Sequence, residues 1–314
     1  MPPPASPCAK RSAVAAIGHM SPDPNVFAGF IERMAYRRRN AAWIDEAYAS
    51  PRARFVGVFR SLNLVSDDDP PRPVLLTKDE VAELAVGPPV YLGRFGPHEC
   101  FACAFSDDAA RQSVGREFHD LHRVGALLEH ADAALLAYAR AMLLWHENHR
   151  HCGRCGASLS AADAGHLLVC ENARCGAQQF PRLDPAIIAL VADEEQCLLG
   201  RQAGWPPGRY SAIAGFVEPG ESCESAVARE VLEETGVAVT DVRYHSSQPW
   251  PFPASLMLGF SARPASKTIE LRDEELEDAR WFTRSEIAAG AAGRPSRVSI
   301  SARLIEDWLR ASRS

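Results

Sequence analysis

The spacing of apolar positions changes character along the chain, and each change marks a different kind of element. Between residues 25 and 110, short β-rich runs alternate with Pro- and Asp-rich turns such as Asp67 to Pro71. The runs are Arg54 to Phe59, Val74 to Leu76, Val90 to Leu92 and Phe101 to Phe105, and they predict a small sheet. Residues 131–149 are dominated by Ala, Leu, Met and Tyr, with Leu135, Met142 and Trp145 near one face, so this stretch predicts a helix. From 184 onward strand and helix patterns alternate. Ala186 to Val191 is a continuous apolar run, as a strand buried on both faces requires. Cys197 to Leu199, Tyr210 to Ile213, Val237 to Val239 and Ser255 to Phe260 are further strand candidates. Two helices are predicted over about 222–235 and 299–310, the second from Ile300, Leu304 and Trp308 at i, i+4, i+8.

At 314 residues the chain exceeds one typical core, so several domains are expected. A formal net charge of −6 gives no general attraction to nucleic acid or anionic membrane. Any polyanionic substrate must be held locally, by metal ions or a few arginines. No apolar run approaches a membrane span. Residues 1–24, rich in Pro, Ala and Ser, lack the apolar block of a secretory signal and read as a disordered leader. Of nine cysteines, four cluster between 152 and 175, a metal-ligand grouping that suggests a reducing compartment. We expect a cytoplasmic protein, with an organelle left open.

That cluster is Cys152-x-x-Cys155 followed by Cys170-x4-Cys175, with Gly153, Gly156 and Gly176 beside the thiols. Four thiolates suit one tetrahedral, structural Zn²⁺ per chain. His146, His149 and His151 lie close enough in sequence to replace one cysteine, though a solvated helix end is the simpler reading of them. Cys100-x-x-Cys103 has no partner pair and reads as core packing.

The stretch from Gly215 to Val237 reads as strand, Gly/Pro loop, helix and glycine stop. Ser222 suits the N-cap and Gly236 the left-handed stop. Val227, Ala228, Val231 and Leu232 are expected to form its packed stripe. Glu230, Glu233 and Glu234 fall at i, i+3, i+4, so their carboxylates converge. Arg229 can pair with Glu233, and divalent cations with hard oxygen preference, Mg²⁺ or Mn²⁺, would offset the rest.

These residues match every fixed position of G-x5-E-x7-R-E-U-x-E-E-x-G-U, with U apolar, and the chain resembles the Nudix hydrolases. The resemblance implies an α+β fold, an α-β-α sandwich around a mixed sheet. It implies that Glu230 and Glu234 ligate Mg²⁺ or Mn²⁺, that Glu233 ligates or positions water, and that Arg229 orients the glutamates. Glu221 would brace the loop and the Ala214 carbonyl would join the metal shell.

Downstream, Ser247, Gln248, Pro249, Trp250, Pro251, Phe252, Pro253, Ala254 and Ser255 resemble the element that marks the NADH pyrophosphatase (NudC-type) family. The nine residues read as a loop stiffened by three prolines, in which Trp250 and Phe252 offer flat faces for a base or nicotinamide and Gln248 and Ser255 offer polar contacts. By the same resemblance Glu275 completes the metal site, with Glu274, Glu277 and Asp278 as alternatives. Phe216 stacks on the nicotinamide, Phe180 stands where the family usually has Tyr, and Ser301 offers a backbone contact.

The implied organisation is a leader (1–24), an N-terminal Nudix-like domain (25–130), a connecting helix (131–150), a zinc ribbon (151–180) and a catalytic Nudix domain (181–314). The implied reaction is hydrolysis of the NADH or NAD⁺ pyrophosphate to AMP and NMNH or NMN, extending to the NAD cap at the 5′ end of RNA. A homodimer is also implied. The rivals are another Nudix substrate, such as ADP-ribose or a dinucleoside polyphosphate, and a zinc-ribbon binding module on an inactive Nudix fold.

Overall fold

A computed structural model describes residues 25–29, 31–108, 117–271, 275–293 and 297–311. The leader expected at 1–24 lies outside the described residues, as does Glu274.

The N-terminal part runs α1 (Ala41–Ala49), β1 (Ala53–Phe59), β2 (Leu62–Val65), β3 (Leu75–Leu76), α2 (Lys78–Val81), β4 (Ala85–Phe95), β5 (His98–Phe105), β6 (Glu117–His119), α3 (Leu121–Val124) and α4 (His130–Asn148). Its sheet has the order β4-β5-β1-β2-β6, with β3 also on β1. Only β1 and β5 pair in parallel; the other pairs are antiparallel. Strand alternation sorts the apolar residues onto two buried faces. Val56, Val58, Cys100 and Ala102 join the core under α4, with Leu135, Leu136 and Met142. Phe55, Phe101, Cys103 and Phe105 join the core that α1 packs against. Cys100 and Cys103 are therefore packing residues, and burial pushes both thiols up to about 12.

A three-stranded sheet follows: β7 (Leu159–Ala162), β8 (Leu167–Cys170) and β9 (Gln178–Gln179). The C-terminal part then runs β10 (Asp184–Ala192), β11 (Gln196–Arg201), β12 (Ile213–Phe216), α5 (Cys223–Thr235), β13 (Val239–Trp250), β14 (Ser255–Pro264), β15 (Asp278–Thr283), α6 (Arg284–Ala288) and α7 (Ile300–Arg310). Its sheet order is β13-β14-β10-β11-β15, with β12 on β10 and β10 parallel to β14. Ile187, Ala189 and Val191 face Ala226, Val227 and Val231 of α5. Ile188 and Leu190 face Ile300, Leu304 and Ile305 of α7. The expected sandwich around a mixed sheet is what the chain builds.

The two large sheets share one topology, strand for strand. They differ where chemistry would sit. Between β12 and β13 stands the 13-residue α5, whereas the corresponding place between β3 and β4 holds the four-residue α2. The N-terminal copy kept the scaffold and lacks the glutamate-bearing helix.

Three sequence expectations change. Tyr210 to Ala212 are not strand; β12 begins at Ile213, because the preceding residues turn inward to line a cavity. Leu232 is exposed, and Ala226 takes its place in the packed stripe of α5. Ser247 to Trp250 form the end of β13 rather than a loop. Pro249 is tolerated because β13 is an edge strand with no ladder on its outer side.

Candidate active site

The helix α5 is set by its ends. Ser222 accepts a hydrogen bond from the Ser225 N–H at 3.2 Å, and Gly236 stops the helix at φ 72°. Three glutamates then project from a framework that Arg229 organises. Its guanidinium donates to Glu221 through Nε (3.1 Å) and Nη2 (2.6 Å), to Glu233 at 3.1 Å and to the Phe216 carbonyl at 3.0 Å. Nη1 also lies 3.0 Å from Glu230. Glu221 accepts from the Glu218 N–H at 2.8 Å, which ties the loop to the helix. The bond from Arg229 holds the Glu221 carboxyl below its ordinary value, and Arg229 itself is raised.

Glu230 lies against β12. A Cβ at Gly215 would overlap the Glu230 carboxyl group, so a larger residue there would displace that carboxylate. Burial pushes the Glu230 carboxyl up; Arg229 opposes that, while the charges of Glu233 and Glu275 add to it. Glu275 thus stands within electrostatic reach of Glu230. Glu234 is buried, 4% exposed, and faces a cavity of about 240 Å³ that the Ala214 segment also lines. Oxygen donors of one sign, gathered and partly desolvated, are what a hard divalent cation compensates. Glu230, Glu234, Glu275 and the Ala214 carbonyl are donors of that kind, but the ligand atoms of these three glutamates do not all lie within 4.8 Å of one another.

The four cysteines converge separately. Cys152 and Cys175 Sγ stand 3.9 Å apart and Cys155 and Cys170 Sγ 3.4 Å, with all four within 4.8 Å of one another. A tetrahedral Zn–S bond of about 2.3 Å implies sulfur spacings of about 3.8 Å, so the donor set fits. Backbone N–H groups of Arg154 and Cys155 lower the Cys152 thiol to about 7. Gly156 and Gly176, at φ 75° and 54°, turn the two knuckles. The alternative ligands are engaged elsewhere: His146 Nε2 meets the Gly165 carbonyl at 2.7 Å, and His149 Nδ1 the Trp145 carbonyl at 2.8 Å. His151 instead forms a backbone bridge to Ser158.

With this geometry in place, comparison with known proteins decides the family. The family model of the NUDIX domain matches residues 182–304. That of the NADH pyrophosphatase-like rudimentary NUDIX domain matches 52–145. The NAD-capped RNA hydrolase NudC of Mycobacterium tuberculosis (strain H37Rv) is 42% identical over 245 residues, covering 72% of this chain and 78% of that protein. This chain belongs to the Nudix family, with an NADH pyrophosphatase-like N-terminal domain. The NAD-capped RNA hydrolase NudC of Mycobacterium bovis (BCG Pasteur) matches to the same extent. The NAD-capped RNA hydrolase NUDT12 of Homo sapiens is 40% identical over 198 residues, 58% of this chain and 43% of that longer protein. A crystal structure of a Nudix hydrolase from Nitrosomonas europaea aligns over 51% of this chain and 88% of that one, at 23% identity and a TM-score of 0.40.

The expected substrate residues of this Nudix enzyme divide into those that meet and those that do not. Ala214, Glu234, Gln248, Trp250 and Ser301 line the same cavity. Phe216 and Phe180 stand on the surface, 59% and 65% exposed. The motif from Ser247 to Ser255 also has a structural task. Gln248 donates to the Val26 and Val298 carbonyls (2.9 and 2.6 Å) and accepts from the Ile300 N–H (2.8 Å). Its amide is thus spent on the chain itself. Asn25 donates to the Ser247 carbonyl at 2.7 Å, and Arg140 to the Pro251 carbonyl at 2.7 Å. Trp250 and Phe252 pack edge-on against Phe27 (6.2 and 5.6 Å) and His122 (5.5 and 5.4 Å). Phe252 also lies 4.9 Å from the Arg140 guanidinium. Pro253 and Ala254 complete the turn into Ser255, which is buried opposite Trp250 in the β13–β14 ladder. Ser301 accepts from Ser211 Oγ (2.9 Å) and the Ala212 N–H (3.0 Å), pinning the segment before β12.

Several cavity residues escaped the sequence, among them His122 and Arg209. His122 comes from the N-terminal domain, and Arg209 stacks 5.5 Å from Trp205 on the loop after β11. Neither belongs to a periodic pattern or a motif, so only the tertiary fold reveals them.

Proposed function

We propose that this chain hydrolyses the pyrophosphate of NADH and NAD⁺ to AMP and NMNH or NMN, and cleaves the same bond where NAD caps the 5′ end of RNA. The observation that carries this is the buried Glu234 beside Glu230 at a cavity lined by Trp250 and Ser301. The names of the mycobacterial and human relatives support it.

A pyrophosphate resists hydrolysis because its charged oxygens repel a nucleophile. Mg²⁺ or Mn²⁺ held by Glu230, Glu234, Glu275 and the Ala214 carbonyl would neutralise that charge and acidify water. The chain's own residues do the positioning. Arg229 fixes Glu221 and Glu233, so the α5 carboxylates enter the reaction already ordered. Glu234 or Glu233 takes the proton of the attacking water. Trp250 gives a flat apolar wall for a base, and Phe216 an exposed one for the nicotinamide. Cys152, Cys155, Cys170 and Cys175 would hold a Zn²⁺ whose closed four-sulfur shell would stabilise the ribbon and leave no open position for the reaction. The chain acts as a homodimer in the cytoplasm; among the described residues no helix is long and apolar enough to cross a membrane.

The test is kcat/KM for NADH, NAD⁺, ADP-ribose and NAD-capped RNA under one set of conditions. NADH or capped RNA is expected to exceed ADP-ribose by about tenfold or more; ADP-ribose as the preferred substrate would overturn the assignment.

A further inference from the structure

The N-terminal domain carries a surface that the reaction does not use. Arg33, Arg37, Arg38 and Arg39 fall within seven residues that contain no acid, in a chain of net charge −6. They are interleaved with aromatic rings. Arg33 stacks 3.9 Å over Tyr138, and Arg38 donates to the Tyr138 hydroxyl at 3.3 Å. Arg37 lies 5.4 Å from the Tyr36 ring and 5.7 Å from Trp43. Arg39 is 85% exposed in its side chain, touching Asp163 at 3.2 Å. Tyr36 is 74% exposed, which a tyrosine serving only the core has no reason to be.

Trp43 continues this surface inward, edge-on to Tyr91 at 5.6 Å. Tyr91 forms part of the wall of a second cavity, of about 250 Å³, between α1 and the ribbon. Its other walls include Tyr48, Phe101, Pro89 and Ala164, and Asp45 is its acid. Lys78 sits 4.5 Å from the Tyr48 ring. Cations for phosphates beside rings for bases are the two elements that single-stranded nucleic acid requires.

We propose that this face of the N-terminal domain binds the single-stranded body of a capped RNA, its phosphates on Arg37 and Arg39 and one base on Tyr36. The inference rests on the proposed reading of the chain as an enzyme of NAD-capped RNA. It gives the rudimentary domain a task of its own and separates the long substrate from the free dinucleotide.

The experiment measures fluorescence anisotropy of a 5′-monophosphorylated single-stranded RNA 20-mer with the full chain, beside NADH hydrolysis. The variants are R37E/R39E and Tyr36→Ala, with melting followed for each. The double variant is expected to weaken RNA binding about tenfold or more, and to make the salt slope shallower by about 1.4 for two lost phosphate contacts. Tyr36→Ala is expected to weaken it about fivefold or more through lost stacking. NADH turnover and melting stay unchanged in both. Unaltered RNA binding in the double variant, or absent binding by the parent chain, overturns the proposal. Competition by polyglutamate equal to that by RNA, with Tyr36→Ala silent, reduces the surface to charge alone and overturns it too. Failure of NADH hydrolysis with RNA binding intact strikes the proposed reaction instead.

Discussion

Glu230, Glu233 and Glu234 share one helical face yet stand in three environments. Glu233 is exposed and paired with Arg229, Glu230 is wedged between Arg229 and Gly215, and Glu234 is buried at the cavity. Only the last two have their charge partly removed from water, which is where a divalent cation gains most from binding. Glu234→Gln keeps the volume and removes the charge. We expect kcat to fall about a hundredfold or more with melting unchanged; a variant within a few-fold of the parent rate would contradict the role given to Glu234. These carboxylates were legible in the sequence because helix geometry fixes which residues converge. The fate of Gln248 was not. A motif names a side chain but not its partners, and this amide holds backbone at Val26 and at Val298 and Ile300, two segments distant in the chain.

At the scale of elements, the cysteine ribbon has little apolar interior beyond Leu167 and Leu168. A metal ion held by its four sulfurs, all within 4.8 Å of one another, would supply much of its order. Cys152→Ser is expected to lower zinc content, measured by atomic emission, and melting by about 5 °C or more, while kcat of the remaining folded protein holds. Full zinc content with lost activity would count against a structural task. The ribbon also docks on the N-terminal sheet through His166, whose Nε2 meets the Tyr91 carbonyl at 2.7 Å. Burial lowers the His166 ring to about 4; the Tyr91 carbonyl opposes this, and Arg38, Arg33 and His146 add to the lowering. The unfolded chain takes this proton near pH 6.5, the folded one only near 4. Between those values the unfolded state binds more protons, so stability is full above about 6.5 and falls as pH drops. The loss reaches about 3 kcal/mol across that window. Thermal melting between pH 7 and 5 should show this decline, and His166→Gln should flatten it; an equal decline in the variant would place the titration elsewhere. The strand and helix pattern was readable because both faces of each sheet are apolar. The ends of β12 and β13 were not, since edge position and cavity lining depend on neighbours distant in sequence.

On the scale of the whole molecule, two sheets of one topology are joined by a strap that also lines the cavity. Phe27, His122 and Arg140 of the N-terminal half grip Trp250 and Phe252 of the catalytic half. The rudimentary domain therefore shapes the site it no longer contains. Sequence reasoning reached the two halves separately and missed this joint, because no local signal marks His122 as a cavity residue. The central claim is that the gathered carboxylates direct water onto a phosphoanhydride. It is tested most directly by incubating the protein with NADH and Mg²⁺ or Mn²⁺ and separating the products. The account predicts AMP and NMNH in equal amounts, formed only with the divalent ion present. Intact NADH, or nicotinamide and ADP-ribose as products, would contradict it.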